Sequence, residues 1–455
     1  VSEVPAAYLE DASGYAGTAS AFFAPSSLEE VAEILRRAAE TKTPVTVSGA
    51  GTGVTGGRCP NGGWILSTER FQRLEVGQGI ARVGAGVPIS SLHAAAAGAG
   101  QFYPPDPTEW SASFGGTVAT NASGSRSFRY GPTRAWLRSL TVATMDGRVR
   151  TFRRGEQVDF AYTPLPAPAV TKNTAGYFLR ENLEWIDLFC GSEGTLGVVL
   201  EGEVALLPQA GALLAGVVFF PSEREAVASA EAWRAIPLLR MLEFFDGDSI
   251  AMLRSAYPDI PAAARAALLV EQEIAGGEDE AVDAWVERLD QSGGLEDSWF
   301  GDSPADRERF RRLRHALPEL VNERVRRNGF NKLGSDFAVP VSRNGEMMAW
   351  YRARLDAEFP AKSVIFGHIG DAHVHVNILP ESEDDALRGR AFMIDAARQA
   401  AALGGAVSAE HGLGKLKAHL LSIQYTVEQI EAMREVKRRF DPDWLLGKGN
   451  LFAEE

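Results

Sequence analysis

Three of the seven histidines in this chain fall close together, in Gly367-His368-Ile369-Gly370-Asp371-Ala372-His373-Val374-His375-Val376-Asn377. A neutral imidazole offers a ring-nitrogen lone pair that suits zinc and similar ions, and it takes up a proton near neutral pH. His373 and His375 alternate with Val374 and Val376, so an extended strand here predicts both imidazoles on one face. Gly370-Asp371 is a turn that would fold His368 back toward them. A surface strand with its polar residues turned outward would explain one such pair. A second cluster, Ser408-Ala409-Glu410-His411-Gly412-Leu413-Gly414, adds a carboxylate, a fourth imidazole and turn-forming glycines. The two stretches together favour a metal or catalytic site over a surface strand.

These groups need a scaffold, and the amino-terminal half supplies recognisable parts of one. Ser27 followed by Glu30 predicts a capping box, with Leu28, Val31, Leu35 and Ala38 at helical spacing behind it. Pro44-Val45-Thr46-Val47 reads as a strand running into Ser48-Gly49-Ala50-Gly51-Thr52-Gly53-Val54-Thr55-Gly56-Gly57. Glycines at that density let backbone N–H groups close around an anion such as a pyrophosphate. Gly51 to Gly56 matches G-x-G-x-x-G, but Arg58-Cys59-Pro60-Asn61-Gly62-Gly63 continues as loop where the dinucleotide fingerprint demands a helix. A phosphate loop of another fold is the better reading, with a purely structural loop as its alternative.

Tyr103-Pro104-Pro105-Asp106-Pro107-Thr108 is too proline-rich for a regular helix, and the small residues from Ser113 to Gly124 leave room for a flat ligand. Leu140–Thr144 with Asp146-Gly147 reads as a strand entering a hairpin. Lys172-Asn173-Thr174-Ala175-Gly176-Tyr177 follows, and then Gly191-Ser192-Glu193-Gly194-Thr195-Leu196-Gly197 feeds an apolar strand.

The 455 residues suffice for two or three domains, and the net charge of −14 argues against a nucleic-acid partner. Cys59 and Cys190, the only cysteines, exclude a disulfide framework and a four-cysteine iron–sulfur cluster within the chain. They fit a reducing cytoplasm. No apolar run nears the ~18–20 residues of a membrane span. Val1-Ser2-Glu3-Val4-Pro5 carries no signal-peptide pattern, which leaves targeting open.

A boundary is expected near Leu207-Pro208, dividing the chain into 1–208, 209–400 and 401–455. Beyond it Leu214–Phe220, Leu242–Phe245 and Ala267–Glu273 read as strands, and Glu225–Ile236 and Asp279–Asp290 as helices, an α+β cap. Residues 295–303 read as loop. Phe310–Asn328 reads as an arginine-crowded helix broken at Pro318, and Val427–Phe440 as a final helix. A solvated basic face is the default account of those arginines, although a carboxylate substrate wants a guanidinium fork.

In this order the motifs Gly49–Gly57, Pro104–Gly131, Lys172–Tyr177 and Gly191–Gly197 resemble the flavin-binding domain of the vanillyl-alcohol oxidase and p-cresol methylhydroxylase superfamily. The whole is similar to the FAD-linked D-2-hydroxyacid dehydrogenases, which act on D-lactate, glycolate or D-2-hydroxyglutarate. The resemblance implies an α+β fold: a two-part, PCMH-type FAD-binding domain, an α+β cap, and a C-terminal helical segment folding back on the flavin domain. It carries cofactor contacts over to Ser48, Gly49, Ala50, Gly51, Thr52, Gly53 and Gly57, then to Pro105, Asp106, Gly115, Gly116, Thr120, Asn121 and Gly197. The FAD is expected to be non-covalent, Cys59 being the one residue near a family attachment point. Ser48 stands where many relatives have Arg.

The family pattern Gly-His-x-Gly-Asp-Gly-Asn-x-His matches His368 and His375, and Glu-His-Gly matches Glu410 and His411. The resemblance assigns His368, His375 and Glu410 to a divalent metal, usually zinc, and His411 to the role of base. His373 replaces Asn and Ala372 replaces Gly in that pattern, which leaves the local turn and a ligand role for His373 open. Arg314 and Lys332 become candidate substrate anchors, and Asn450 is expected near the flavin ring and substrate. The expected substrate is a small 2-hydroxy acid. The expected electron acceptor is a quinone, a cytochrome, another flavoprotein or oxygen. A homodimer and peripheral attachment to a membrane remain compatible. An aromatic-alcohol oxidase on the same fold and a non-catalytic FAD-binding subunit of a larger oxidase are the alternatives.

Overall fold

The computed structural model describes residues 4–274 and 278–452, so the reading of Val1 to Glu3 lies outside the described residues. The chain builds three main sheets. Ala21–Phe23, Trp64–Ser67 and Val45–Ser48 form a parallel sheet with Trp64–Ser67 in the centre. Leu74–Gly77, Ile80–Gly84, Val198–Ala205, Leu137–Ala143 and Val149–Arg153 form an antiparallel sheet in that spatial order. The third sheet has seven strands, all antiparallel: Trp299–Gly301, Ala212–Phe220, Ala266–Ile274, Leu239–Phe245, Ser363–Gly367, His375–Ile378 and Leu333–Gly334.

Local chemistry explains most element ends. The helix Leu28–Glu40 starts where the Ser27 side chain accepts from Glu30 N at 3.2 Å. The Glu30 carboxylate caps the N–H of Ser26 at 2.6 Å, not that of Ser27, so the predicted capping box closes one residue early. Val31, Leu35 and Ala38 bury against Val45, Leu66 and Val198, as their spacing predicts. The last helix, Val427–Phe440, carries the reciprocal Thr426–Gln429 box.

The arginine-rich helix differs from expectation. It runs from Pro304 to Asn328 without a break, capped by Ser303 and ended by Gly329 at φ +76°. Pro318 lacks an N–H, which leaves the Arg314 carbonyl without its helical donor. The burial of Phe310, Leu313, Leu317 and Val321 on one stripe outweighs that loss. Trp299–Gly301, read as loop, is an edge strand on Ala215–Val217, too short to show periodicity. His375–Ile378 is a strand, but His373 precedes it in an isolated bridge to Ala338.

The tail returns to the first sheet. Val45 N donates to Leu445 O and Gly447 N to Val45 O, both at 2.8 Å, and Leu445 and Leu446 join the core beneath Leu28–Glu40. Buried Lys437 pins this return by donating to Thr195 O and Leu446 O, each at 2.8 Å. No described helix is long and apolar enough to cross a membrane.

Candidate active site

A cavity of about 1100 Å³ runs between the first two sheets and the seven-stranded sheet. One wall is the glycine-rich loop from Gly49 to Thr55 with Gly57. Gly115, Gly116, Thr120 and Gly197 line it as well. Among the described residues the N–H groups of Gly51, Thr52, Gly53 and Val54 donate to no protein acceptor. Four consecutive free amides facing a cavity make a nest for an anion. A Cβ on Gly49 would sit 2.6 Å from Ser113 Oγ, so the loop and the capped helix Phe114–Ala119 close on one another only with glycine there. This wall fits a dinucleotide diphosphate.

Four of the expected cofactor residues do not face the cavity. Ser48 is buried in the sheet. Pro105 is buried behind the wall, and Asp106 accepts from Trp110 Nε1 and Ser125 Oγ. Asn121, at φ +48°, accepts from Arg134 N at 2.9 Å and shapes the turn after the helix. Cys59 is fully buried, and burial pushes its thiol up to about 12, which holds it in the unreactive form.

His375, Glu410 and His411 also line the cavity, and His368 lines a small recess beside it. The Glu410 Oε1 atom lies 3.3 Å from His368 Nε2, 3.2 Å from His375 Nε2 and 3.9 Å from His411 Nε2. Donors at ~2.1 Å from a tetrahedral ion are about 3.4 Å apart, so the Glu410–His368 and Glu410–His375 separations match those of ligands to one cation. Oε2 points away and accepts from Lys172 Nζ at 3.2 Å and Ser123 Oγ at 3.0 Å. Fully buried Lys172 also meets Asp371 Oδ2 at 3.3 Å and Gly124 O at 3.2 Å. One carboxylate oxygen is thus fixed by the protein while the other is offered to the imidazoles.

Behind His368 a second chain of charges holds its orientation. Glu243 Oε1 sits 2.6 Å from His368 Nδ1, and Arg314 Nε donates to Glu243 Oε2 at 2.8 Å. Burial alone would lower His368, but the Glu243 charge raises it to about 9. Glu243 would be raised by burial, yet His368 and Arg314 hold it down to about 2. Glu410 would likewise be raised by burial, but Lys172 and His368 hold it well below the carboxylate range. A pocket that retains a proton on His368 at neutral pH is one where a divalent ion can take that proton's place.

His411, like His375, is half-buried on the cavity wall. Burial pushes it down to about 4, so its lone pair is free at neutral pH. Its Nδ1 lies 3.6 Å from Asp336 Oδ1. Asp336 is fully buried and accepts from the N–H groups of Ala409, Glu410 and His411 and from Ser408 Oγ, fixing the whole second cluster. Ala372 adopts the left-handed φ of +52° that the family pattern gives to Gly, so the turn forms with alanine.

The substrate candidates separate. Lys332 lines the cavity with no partner among the described residues, and burial lowers its ammonium. Arg314 is committed on two nitrogens, to Glu243 and to Thr108 Oγ1 at 3.2 Å, beside a small recess shared with His368 and His375. Asn450 brackets the tail to the glycine-rich loop: Nδ2 donates to Gly57 O at 2.8 Å and Glu193 O at 3.1 Å, and Oδ1 accepts from Lys415 Nζ at 2.7 Å.

Sequence reasoning missed Glu243, Asp336, Ser123 and the placement of Lys172. Glu243 was visible as the lone carboxylate in the apolar run Leu239–Phe245. Asn377 carried a signal too, since it follows His375 by two in a strand and so shares its face; its Nδ2 is buried without a partner.

Residues 212–451 match the family described as FAD linked oxidases, C-terminal domain, and residues 19–153 match FAD binding domain. The chain is 32% identical to D-2-hydroxyglutarate dehydrogenase of Xanthomonas citri pv. viticola, over 94% of this chain and 88% of the relative. It is 31% identical to D-lactate dehydrogenase of Archaeoglobus fulgidus, over 94% and 90%. It is 29% identical to a glycolate oxidase subunit of Bacillus subtilis, over 97% and 90%. A solved structure of alkyldihydroxyacetonephosphate synthase superposes with a TM-score of 0.67 at 16% identity, covering 94% of this chain and 76% of that one, which speaks to fold alone. Glycine-lined cavity, donor cluster and sequence agree, and the chain belongs to the FAD-linked oxidases.

Proposed function

We propose that this enzyme oxidises a D-2-hydroxy acid of the D-lactate, glycolate or D-2-hydroxyglutarate class to the 2-oxo acid. The observation that carries the reading is the convergence of His368, His375 and Glu410 on one point, with the neutral imidazole of His411 beside it on the cavity wall. Non-covalent FAD along the glycine-rich wall would supply the two-electron acceptor for the Cα hydride. His368, His375 and Glu410 would hold a divalent ion, zinc by the nature of the donors, which supplies a Lewis acid for the substrate's hydroxyl and carboxylate oxygens.

The chain's own residues do the rest. His411 takes the hydroxyl proton as the Cα–H bond breaks, which its unprotonated state at neutral pH permits. Lys332, a cation on the wall with no partner among the described residues, attracts the substrate carboxylate, and Arg314 offers the edge of its guanidinium that Glu243 and Thr108 leave open. The electrons leave for a quinone, a cytochrome, another flavoprotein or oxygen.

Anaerobic mixing with D-lactate, glycolate or D-2-hydroxyglutarate should bleach the flavin spectrum, and acid precipitation should release all colour to the supernatant. A spectrum unmoved by the whole panel would favour a passive FAD-binding subunit. Colour kept in the pellet would refute the non-covalent link.

A further inference from the structure

We infer that His373 is a fourth protein ligand of the metal, which makes the donor set three imidazoles and one carboxylate. This rests on the divalent-ion reading above and deepens it. His373 is fully buried, yet its Nδ1 and Nε2 both lack a hydrogen-bond partner among the described residues. An imidazole sealed from water with two unsatisfied nitrogens is costly unless something absent from the protein satisfies one of them.

The position of the ring says what that is. One ring nitrogen from each of His368, His373 and His375 and one Glu410 oxygen lie within 4.8 Å of one another. An imidazole bound at ~2.1 Å has its centroid about 3.2 Å from the ion, so two bound rings have centroids about 4.5 Å apart at a right angle and about 5.2 Å at a tetrahedral one. The His373–His375 centroids are 4.6 Å apart, and both lie 5.5 Å from that of His368.

Asp336 is the competing partner, with Oδ1 3.2 Å from His373 Nε2 but off the line a hydrogen bond requires. Its oxygens already accept from the 409–411 backbone and from Ser408. The alternative donor group of Asp336, His375, Glu410 and His411 depends on a carboxylate whose Oδ2 is already held by Ser408 Oγ and the N–H groups of Ala409 and His411, so it is the weaker shell.

X-ray absorption at the zinc edge, on the FAD-loaded enzyme with zinc, counts imidazoles directly. Three are expected in the wild type and two in His373→Asn. Losing even a partner outside the ligand shell costs a metal site about 10–100-fold in affinity, so His373→Asn should release zinc to a competing chelator at least about 100-fold more readily. Its FAD content should remain intact, which shows that the variant folds. Two imidazoles in the wild type, or unchanged zinc affinity in His373→Asn, would overturn the inference and leave the three-residue metal site standing. A wild type that binds no zinc would overturn both.

Discussion

Lys172→Met removes a cation that touches both Glu410 and Asp371. The lysine is wholly buried, 3.2 Å from one carboxylate and 3.3 Å from the other, with Gly124 O as its third acceptor. Methionine keeps the length of the chain and deletes the charge. Breaking a buried ion pair from one side costs about 3–5 kcal/mol, because the remaining charge has no solvent to return to. Lys172 is the leading influence against burial that holds Glu410 low. A depressed carboxylate contributes stability above its unfolded value near 4.5, and that stability is lost as pH falls through the folded value. The variant should therefore be less stable by about 3–5 kcal/mol at pH 7, and the deficit should persist at pH 4, because it is lost only as pH falls on through the low folded value of Glu410. Urea unfolding of chelator-treated protein, followed by tryptophan fluorescence at both pH values, reads this out. A deficit below about 1 kcal/mol at pH 7, or one that has vanished at pH 4, would refute the reasoning.

Three further outcomes follow from the same geometry. His411→Asn should keep FAD and metal while flavin reduction slows by about 10²–10⁴, the contribution of a positioned base; an unchanged rate in rapid mixing would remove His411 from the chemistry. Arg314→Lys should raise KM by about 10–100-fold, because an ammonium cannot hold Glu243 and face the substrate together; steady-state kinetics with unaltered KM would return Arg314 to a supporting role. Burial raises Glu193 to about 7 where it accepts from Leu413 N and Gly414 N. Its folded value lies above its unfolded one, so the stability it lends is complete below about pH 4.5 and is lost as pH rises through 7. Glu193→Gln should flatten that decline in melting temperature, and parallel curves for the two proteins would count against it.

Much of the site was legible because its donors come in short, polar, glycine-flanked runs. His368, His375, Glu410 and His411 stand out in sequence as they do in space. The glycine-rich wall was equally visible, since free amides need glycine to reach an anion. What stayed hidden came from strands that meet only through tertiary pairing. Glu243 reaches His368 because Phe244 pairs with Gly367, a register that no local pattern contains. The burial of Lys172 follows from packing against the Asp371 turn and Glu410 together, which no local pattern contains. The unbroken helix through Pro318 shows the same thing at the level of fold, where an apolar stripe overrode a local breaker.

The central claim is that a metal held by His368, His375 and Glu410 is needed for the hydroxy acid to reduce the flavin. Metal analysis alongside rapid-mixing flavin reduction of His375→Ala tests it most directly. The variant should retain FAD, lose its ion and show no reduction by any substrate that bleaches the wild type. Chelation of the wild type should reproduce that state, and added zinc should reverse it. Reduction at the wild-type rate in a metal-free sample would contradict the account.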